Sequence, residues 1–138
     1  MQGPTQSTTA TQAGPTVLVI DDSEIARQKM QMLLTDAGLQ VYALPSPIGA
    51  TRAIITHKIN IVVADVMMPG MRGDRLAALF RSNPRFNKMG VILVSGAAED
   101  ELQSLALEVK ADATLPKSRL NELPDKIAHL WTRLQAHG

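Results

Sequence analysis

Short apolar runs alternate with amphipathic stretches along most of the chain. Thr16-Val17-Leu18-Val19-Ile20 is β-branched and almost continuously apolar, which predicts a strand buried on both faces. It stops abruptly at Asp21-Asp22-Ser23. Ile25, Met30, Leu33, Leu34 and Ala37 then read as one side of a helix, with Gly38 placed to cap its end. Leu39 to Leu44 predicts a second strand, broken by Pro45-Ser46-Pro47, and a helix over about Ile48 to His57 follows. Ile59 to Ala64 predicts a third strand with Asp65 at its end. The loop Met68-Pro69-Gly70-Met71-Arg72-Gly73 leads into a helix from about Asp74 to Ser82. Val91 to Val94 predicts a fourth strand that ends at Ser95-Gly96. A helix from about Glu99 to Lys110 and a short strand over Ala113 to Leu115 precede Pro116-Lys117. A last helix puts Leu120, Leu123, Ile127, Leu130 and Leu134 on one face, with Trp131 beside that stripe.

Five strands alternating with five helices predict an α/β fold, a parallel sheet with helices on both faces. Right-handed crossovers narrow the topologies, and the expected strand order is 2-1-3-4-5. Residues 1–15 are rich in Gln, Thr, Gly and Pro and read as a flexible tail; residues 16–137 read as one domain. The tail lacks the basic start and apolar middle of a signal peptide.

At 138 residues the chain is long enough to bury its own core, about 70% of its unfolded surface. Aromatic residues make up 3% of it, so packing must come from aliphatic side chains. The net charge of +1, with no basic stripe, argues against a nucleic-acid partner. The absence of Cys excludes disulfides and thiol chemistry. No apolar run approaches the ~20 residues of a membrane span. The expectation is a cytoplasmic domain with no membrane contact.

Polar residues at the strand ends carry the functional reading. Asp21-Asp22, Asp65, Ser95 and Lys117 each follow an apolar run at its carboxyl end. In an open parallel sheet those ends share one edge, where the ligand crevice forms. Each residue alone has an ordinary explanation: Asp22 or Ser23 as a helix cap, Asp65 and Ser95 as turn residues, Lys117 as a surface lysine. Their conjunction at one edge points to chemistry. Two carboxylates about 4 Å apart repel by roughly 4 kcal/mol at an effective dielectric near 20. Three need raised pKa values or a cation, and Mg²⁺ takes one or two carboxylates while leaving positions for phosphate oxygens. A carboxylate nucleophile, a neutralising lysine and a hydroxyl donor suit formation of an aspartyl phosphate.

The sequence resembles the receiver domains of two-component response regulators from about Thr16 to Leu134. The carrying segments are Val17 to Ser23, Val63-Ala64-Asp65-Val66-Met67-Met68-Pro69-Gly70-Met71, Ile92 to Ala97, and Ala111 to Lys117, in receiver order and spacing. Asn83-Pro84-Arg85-Phe86 adds a likeness to stand-alone, chemotaxis-type receivers. The resemblance implies a flavodoxin-like sheet and Asp65 as phosphoacceptor. It implies Mg²⁺ bound directly by Asp22, Asp65 and the Met67 carbonyl, and through water by Asp21. Ser95 and Lys117 would engage the phosphoryl group, and the Met67 and Ala97 side chains would set the rate of its loss. The donor would be a phosphohistidine on a histidine kinase or phosphotransfer protein. Apart from its own phosphoryl transfer and dephosphorylation, no enzymatic activity is implied.

Four positions depart from the family. Thr114 stands where Tyr or Phe usually relays the signal, and Ser118 follows Lys117 where Pro is usual. A family-typical cis Lys-Pro bond is therefore impossible here. Lys110 replaces a Gly that ends the fourth helix, where a left-handed Lys costs roughly 1–2 kcal/mol. Arg72 replaces a common Asp or Asn. No further domain is expected after the last helix, so output is expected to pass to another protein or to self-association. The implied surface is the fourth helix, fifth strand and fifth helix, including Leu102, Lys110, Thr114, Lys126 and Trp131. The altered relay leaves one alternative, a pseudo-receiver whose output is independent of phosphate. A haloacid dehalogenase-type phosphotransferase would carry Asp-x-Asp after the first strand, and a flavin module a loop of hydroxyls and glycines; both are absent.

Overall fold

The computed structural model describes residues 14–96 and 99–137. In chain order the elements are β1 (Thr16–Ile20), α1 (Glu24–Asp36), β2 (Gln40–Leu44), α2 (Ala50–His57) and β3 (Ile61–Asp65). They continue with α3 (Gly73–Ser82), β4 (Gly90–Ser95), α4 (Glu99–Val109), β5 (Ala113–Pro116), a 3₁₀ turn (Lys117–Glu122) and α5 (Leu123–His137). The strands form one parallel sheet in the expected order, β2-β1-β3-β4-β5. No helix among the described residues is long and apolar enough to cross a membrane.

Side chains alternate across each strand, so the central strands feed two cores. Leu18, Ile20, Val62, Ala64 and Leu93 pack against Ile54 of α2, Leu76 and Phe80 of α3, and Leu102 of α4. Val17, Val19, Ile61, Val63, Ile92 and Val94 pack on the other face against α1 and α5, meeting Met30, Leu34, Leu123, Ile127 and Leu130. The register places Ile20 beside Ala64, Asp65 beside Val94 and Ser95 beside Pro116. Strand ends are thereby level, and the residues that follow them share one edge.

Two residues assigned to the buried side of α1 face water. Ile25 is 83% exposed, because its five-residue interval to Met30 turns the helix by roughly 140° off the buried stripe. Ala26 occupies that stripe instead. Ala37 is the exposed C-cap residue, and Gly38 follows it at φ 87°. The Gly38 and Leu39 amides donate to Thr35 and Leu34, which satisfies the last carbonyls of the helix. Leu120 is buried as expected, but in the 3₁₀ turn and not in α5. Trp131 is half-buried against the α1–α5 core, so it packs on its own sheet.

At the far edge of the sheet one side chain joins three elements. Arg81, near the end of α3, donates from Nε to the Lys110 carbonyl at 2.8 Å and from Nη1 to the Met89 carbonyl at 2.6 Å. Its Nη2 pairs with Asp112 Oδ2 at 2.6 Å, and the same oxygen accepts the Val91 amide at 2.8 Å. Lys110 adopts the left-handed conformation, at φ 59°, in which its carbonyl meets Arg81. Removing the guanidinium leaves the largely buried Asp112 carboxylate with the Val91 amide but no cation, and takes a donor from three carbonyls, those of Asn87, Met89 and Lys110. Arg81→Ala is therefore expected to cost about 3 kcal/mol, read as a lower urea midpoint at unchanged slope.

Candidate functional site

The site is built from the first residues beyond level strand ends. Asp21 leaves β1 fully buried, its amide donating to the Leu44 carbonyl at 3.2 Å. Its Oδ1 accepts the Ser23 amide at 2.9 Å, and its carbonyl accepts Arg27 Nη1 at 2.8 Å. Ser23 caps α1 through its hydroxyl, which accepts the Ala26 amide at 3.3 Å. Asp22, between them, is exposed and lines the crevice at the strand ends. The capping role thus belongs to Ser23, and Asp22 remains available for a ligand.

Asp65 ends β3 with 3% exposure, and its Oδ1 accepts the Met67 amide at 3.3 Å. Lys117 reaches in from the end of β5. Its Nζ lies 3.0 Å from Asp21 Oδ2 and 3.3 Å from Asp65 Oδ2. Ser95, fully buried at the end of β4, lines the same open crevice of about 640 Å³ as Asp22, Asp65, Met67, Arg72 and Lys117. All five strand-end residues singled out in the sequence are therefore brought to one edge.

The electrostatics show what this edge lacks. Burial, then the neighbouring Asp21 carboxylate, pushes the Asp65 pKa above the ordinary carboxylate range, against the pull of Lys117 and the Met67 amide. Burial alone would lower the Lys117 pKa, but its contacts with Asp21 and Asp65 together raise it. One ammonium thus serves two buried carboxylates. Asp21 Oδ2 has no hydrogen bond, although Lys117 is close. Asp21, Asp22 and Asp65 offer ligand oxygens all within 4.8 Å of one another. An oxygen-only donor set with an unsatisfied buried oxygen fits a hard divalent cation.

Gly73 completes the site and was not singled out from the sequence. A Cβ there would collide with the Asp65 carbonyl oxygen and lie 2.7 Å from its carbon. Its amide donates to the Val66 carbonyl at 3.0 Å, folding the β3–α3 loop back onto the acceptor strand. The sequence signal was available: a Gly in the first turn of a helix, where its low helix propensity makes it a poor choice unless a close approach requires it.

The altered positions are also placed. No described peptide bond is cis, so Lys117-Ser118 is trans and Lys117 starts the 3₁₀ turn directly. Ser118 is exposed; Thr114 is half-buried on the edge strand opposite Leu93. Leu102 is 1% exposed in the core and cannot belong to an output surface, whereas Lys110 is exposed there. Ala97, expected beside the site, lies outside the described residues.

Residues 17–128 match the model of the response regulator receiver domain family. The chain is 28% identical over 123 residues to the transcriptional regulatory protein GltR of Pseudomonas aeruginosa, covering 88% of this chain and 51% of that protein. It is 34% identical over 82 residues to protein PilG of the same organism, covering 59% of this chain and 61% of PilG. It thus spans roughly half the length of these relatives. A CheY-like response regulator receiver domain protein from Methanospirillum hungatei superposes with a TM-score of 0.80 at 22% identity, over 91% of this chain and 99% of that one. At that identity the likeness concerns the fold.

Proposed function

This chain belongs to the response regulator receiver domain family, and from that membership we propose that Asp65 accepts a phosphoryl group from a phosphohistidine donor. The donor is a histidine kinase or a phosphotransfer protein. The observation that carries the reading is the convergence of Asp21, Asp22 and Asp65 within ligand distance of one another, with Lys117 bridging Asp21 and Asp65.

An Asp65 carboxylate oxygen forms the new bond to phosphorus while the bond to the donor imidazole breaks, its electron pair returning to the ring nitrogen. Lys117 neutralises charge on the transferred group, and the Ser95 hydroxyl donates to one of its oxygens. Asp22, Asp65 and the Met67 carbonyl would hold Mg²⁺, with Asp21 behind a water. Bound there, the ion supplies charge neutralisation at the phosphoryl oxygens. Hydrolysis would return Asp65 to the carboxylate. Output would pass by protein contacts through α4, β5 and α5, where Lys110, Thr114 and Lys126 lie, either to a partner or to a second copy. The phosphate-independent alternative gains nothing from the geometry, because the complete acid set is kept together at a cost in repulsion.

That cost gives a first test. A raised Asp65 pKa favours its neutral form in the folded state. The metal-free fold therefore loses stability as pH rises from the unfolded value of 3.8 through the folded one. Asp65→Asn removes the penalty and should raise the metal-free melting temperature at pH 7 by about 4 °C, the effect of ~1 kcal/mol in a domain this size. The same variant should lose all response to Mg²⁺ plus beryllofluoride, a phosphoryl mimic. In the wild type, amide shifts should centre on Asp65 and Ser95. A silent wild type contradicts the proposal.

A further inference from the structure

The crevice wall carries a second cation that the receiver site as described does not use. Arg72, in the β3–α3 loop, lines the same crevice as Asp65, Ser95 and Lys117. Its Nε pairs with Asp74 Oδ1 at 2.9 Å, and its Nη1 lies 3.8 Å from Met67 Sδ. Met67 in turn donates its amide to Asp65 Oδ1. Resting on the phosphoacceptor reading above, we propose that Arg72 is a second phosphoryl-binding cation. Asp74 tethers it while Asp65 is a free carboxylate, and it turns onto the phosphoryl oxygens once the group sits on Asp65.

Three observations support this. First, the Lys117 charge is already divided between two buried carboxylates, at 3.0 and 3.3 Å. Converting Asp65 to an acyl phosphate adds negative charge to a crevice already lined by Asp22, Asp65 and Glu101. Second, the Arg72–Asp74 pair is easily exchanged: the Arg72 side chain is 47% exposed, and such surface pairs hold weakly. A guanidinium offers phosphate two parallel donors, a better match than one carboxylate oxygen at Nε. Third, Nη1 lies against the Met67 thioether, which is exposed, flexible and able to move aside.

The test is a beryllofluoride titration of the full chain at saturating Mg²⁺, followed by amide shifts. Arg72→Ala should weaken beryllofluoride binding about tenfold, the size of one charge-assisted contact. Arg72→Lys should recover part of it. Asp74→Asn, which removes the ion pair and so loosens the hold on the guanidinium, should tighten binding. Arg75→Ala, which removes the same charge from an exposed position on α3, should change nothing. Mg²⁺ affinity without beryllofluoride should be unchanged or higher in Arg72→Ala, because a nearby cation is gone. Equal losses of Mg²⁺ and beryllofluoride binding would mean a structural role and overturn the proposal. So would wild-type affinity in Arg72→Ala, weaker binding in Asp74→Asn, or an equal loss in Arg75→Ala. A wild type that binds Mg²⁺ but no beryllofluoride would overturn the phosphoacceptor reading, and this one with it.

Discussion

Gly73→Ala is expected to cost about 3 kcal/mol of stability and, with it, most of the cation binding at Asp65. The added methyl has no free volume to enter: it meets the Asp65 carbonyl oxygen and comes within 3.2 Å of the Val66 Cα. Both are backbone atoms of the acceptor strand and its exit. A side chain in their place would swing away at little cost, but a strand end fixed by the hydrogen bond from Val66 to the Val94 carbonyl moves only with its sheet. Overpacking of this kind costs about 1–3 kcal/mol, with backbone collisions at the upper end. The relief available is a shift of Asp65 itself, which spoils the spacing of the three carboxylates. Gly70→Ala is the control. Gly70 has φ 86° and open space around its would-be Cβ, so alanine there should cost roughly 1–2 kcal/mol of local strain and leave Mg²⁺ binding near wild type. Urea midpoints and Mg²⁺ titrations of the two variants give the comparison.

Lys117→Met should destabilise the metal-free protein by about 3 kcal/mol at pH 7, because a lone ammonium separates two buried carboxylates. The loss should be conditional. The Lys117 pKa is raised in the fold, so its contribution is complete below the unfolded value of 10.5 and disappears as pH rises through the folded one. Without it, Asp65 loses the main influence holding its pKa down and protonates at a higher pH still. Melting temperatures of variant and wild type should therefore converge as pH falls and the acids neutralise. Added Mg²⁺ should close much of the gap at pH 7. Phosphoryl acceptance from a small-molecule donor should fall by more than about 100-fold, the usual loss when a preorganised charge partner is removed from a transition state.

The site was legible in the sequence because its residues interrupt apolar runs. Asp21, Asp65, Ser95 and Lys117 each stand where a buried strand meets the sheet edge, and a parallel topology does the rest. The parallel sheet followed from the alternation, and right-handed crossovers with the doubly wound precedent narrowed the strand order. Other features are silent in the sequence for physical reasons. Gly73 works by having no side chain, so nothing in its chemistry marks it. Arg81 and Asp112 read as ordinary charges, and only the fold brings α3 beneath the turn into β5 to make them partners. Ile25 and Leu102 each lie on the other side of the helix from the one expected. The angular position of an apolar residue relative to the buried stripe, and not its apolarity, decides its face. The 3₁₀ turn that starts at Lys117 hides in the same way, since Leu120 and Leu123 suit either helix type and differ only in how the backbone reaches them.

The central claim is that Asp65, and no other residue, takes the phosphoryl group. The most direct measurement incubates the full chain with phosphoramidate and Mg²⁺, reduces any acyl phosphate with borohydride, and maps the resulting homoserine by peptide mass. The structure predicts one modified position, Asp65, with the signal absent when Mg²⁺ is chelated. Modification at Asp21 or Asp22, or no adduct on the folded wild-type chain, would contradict it.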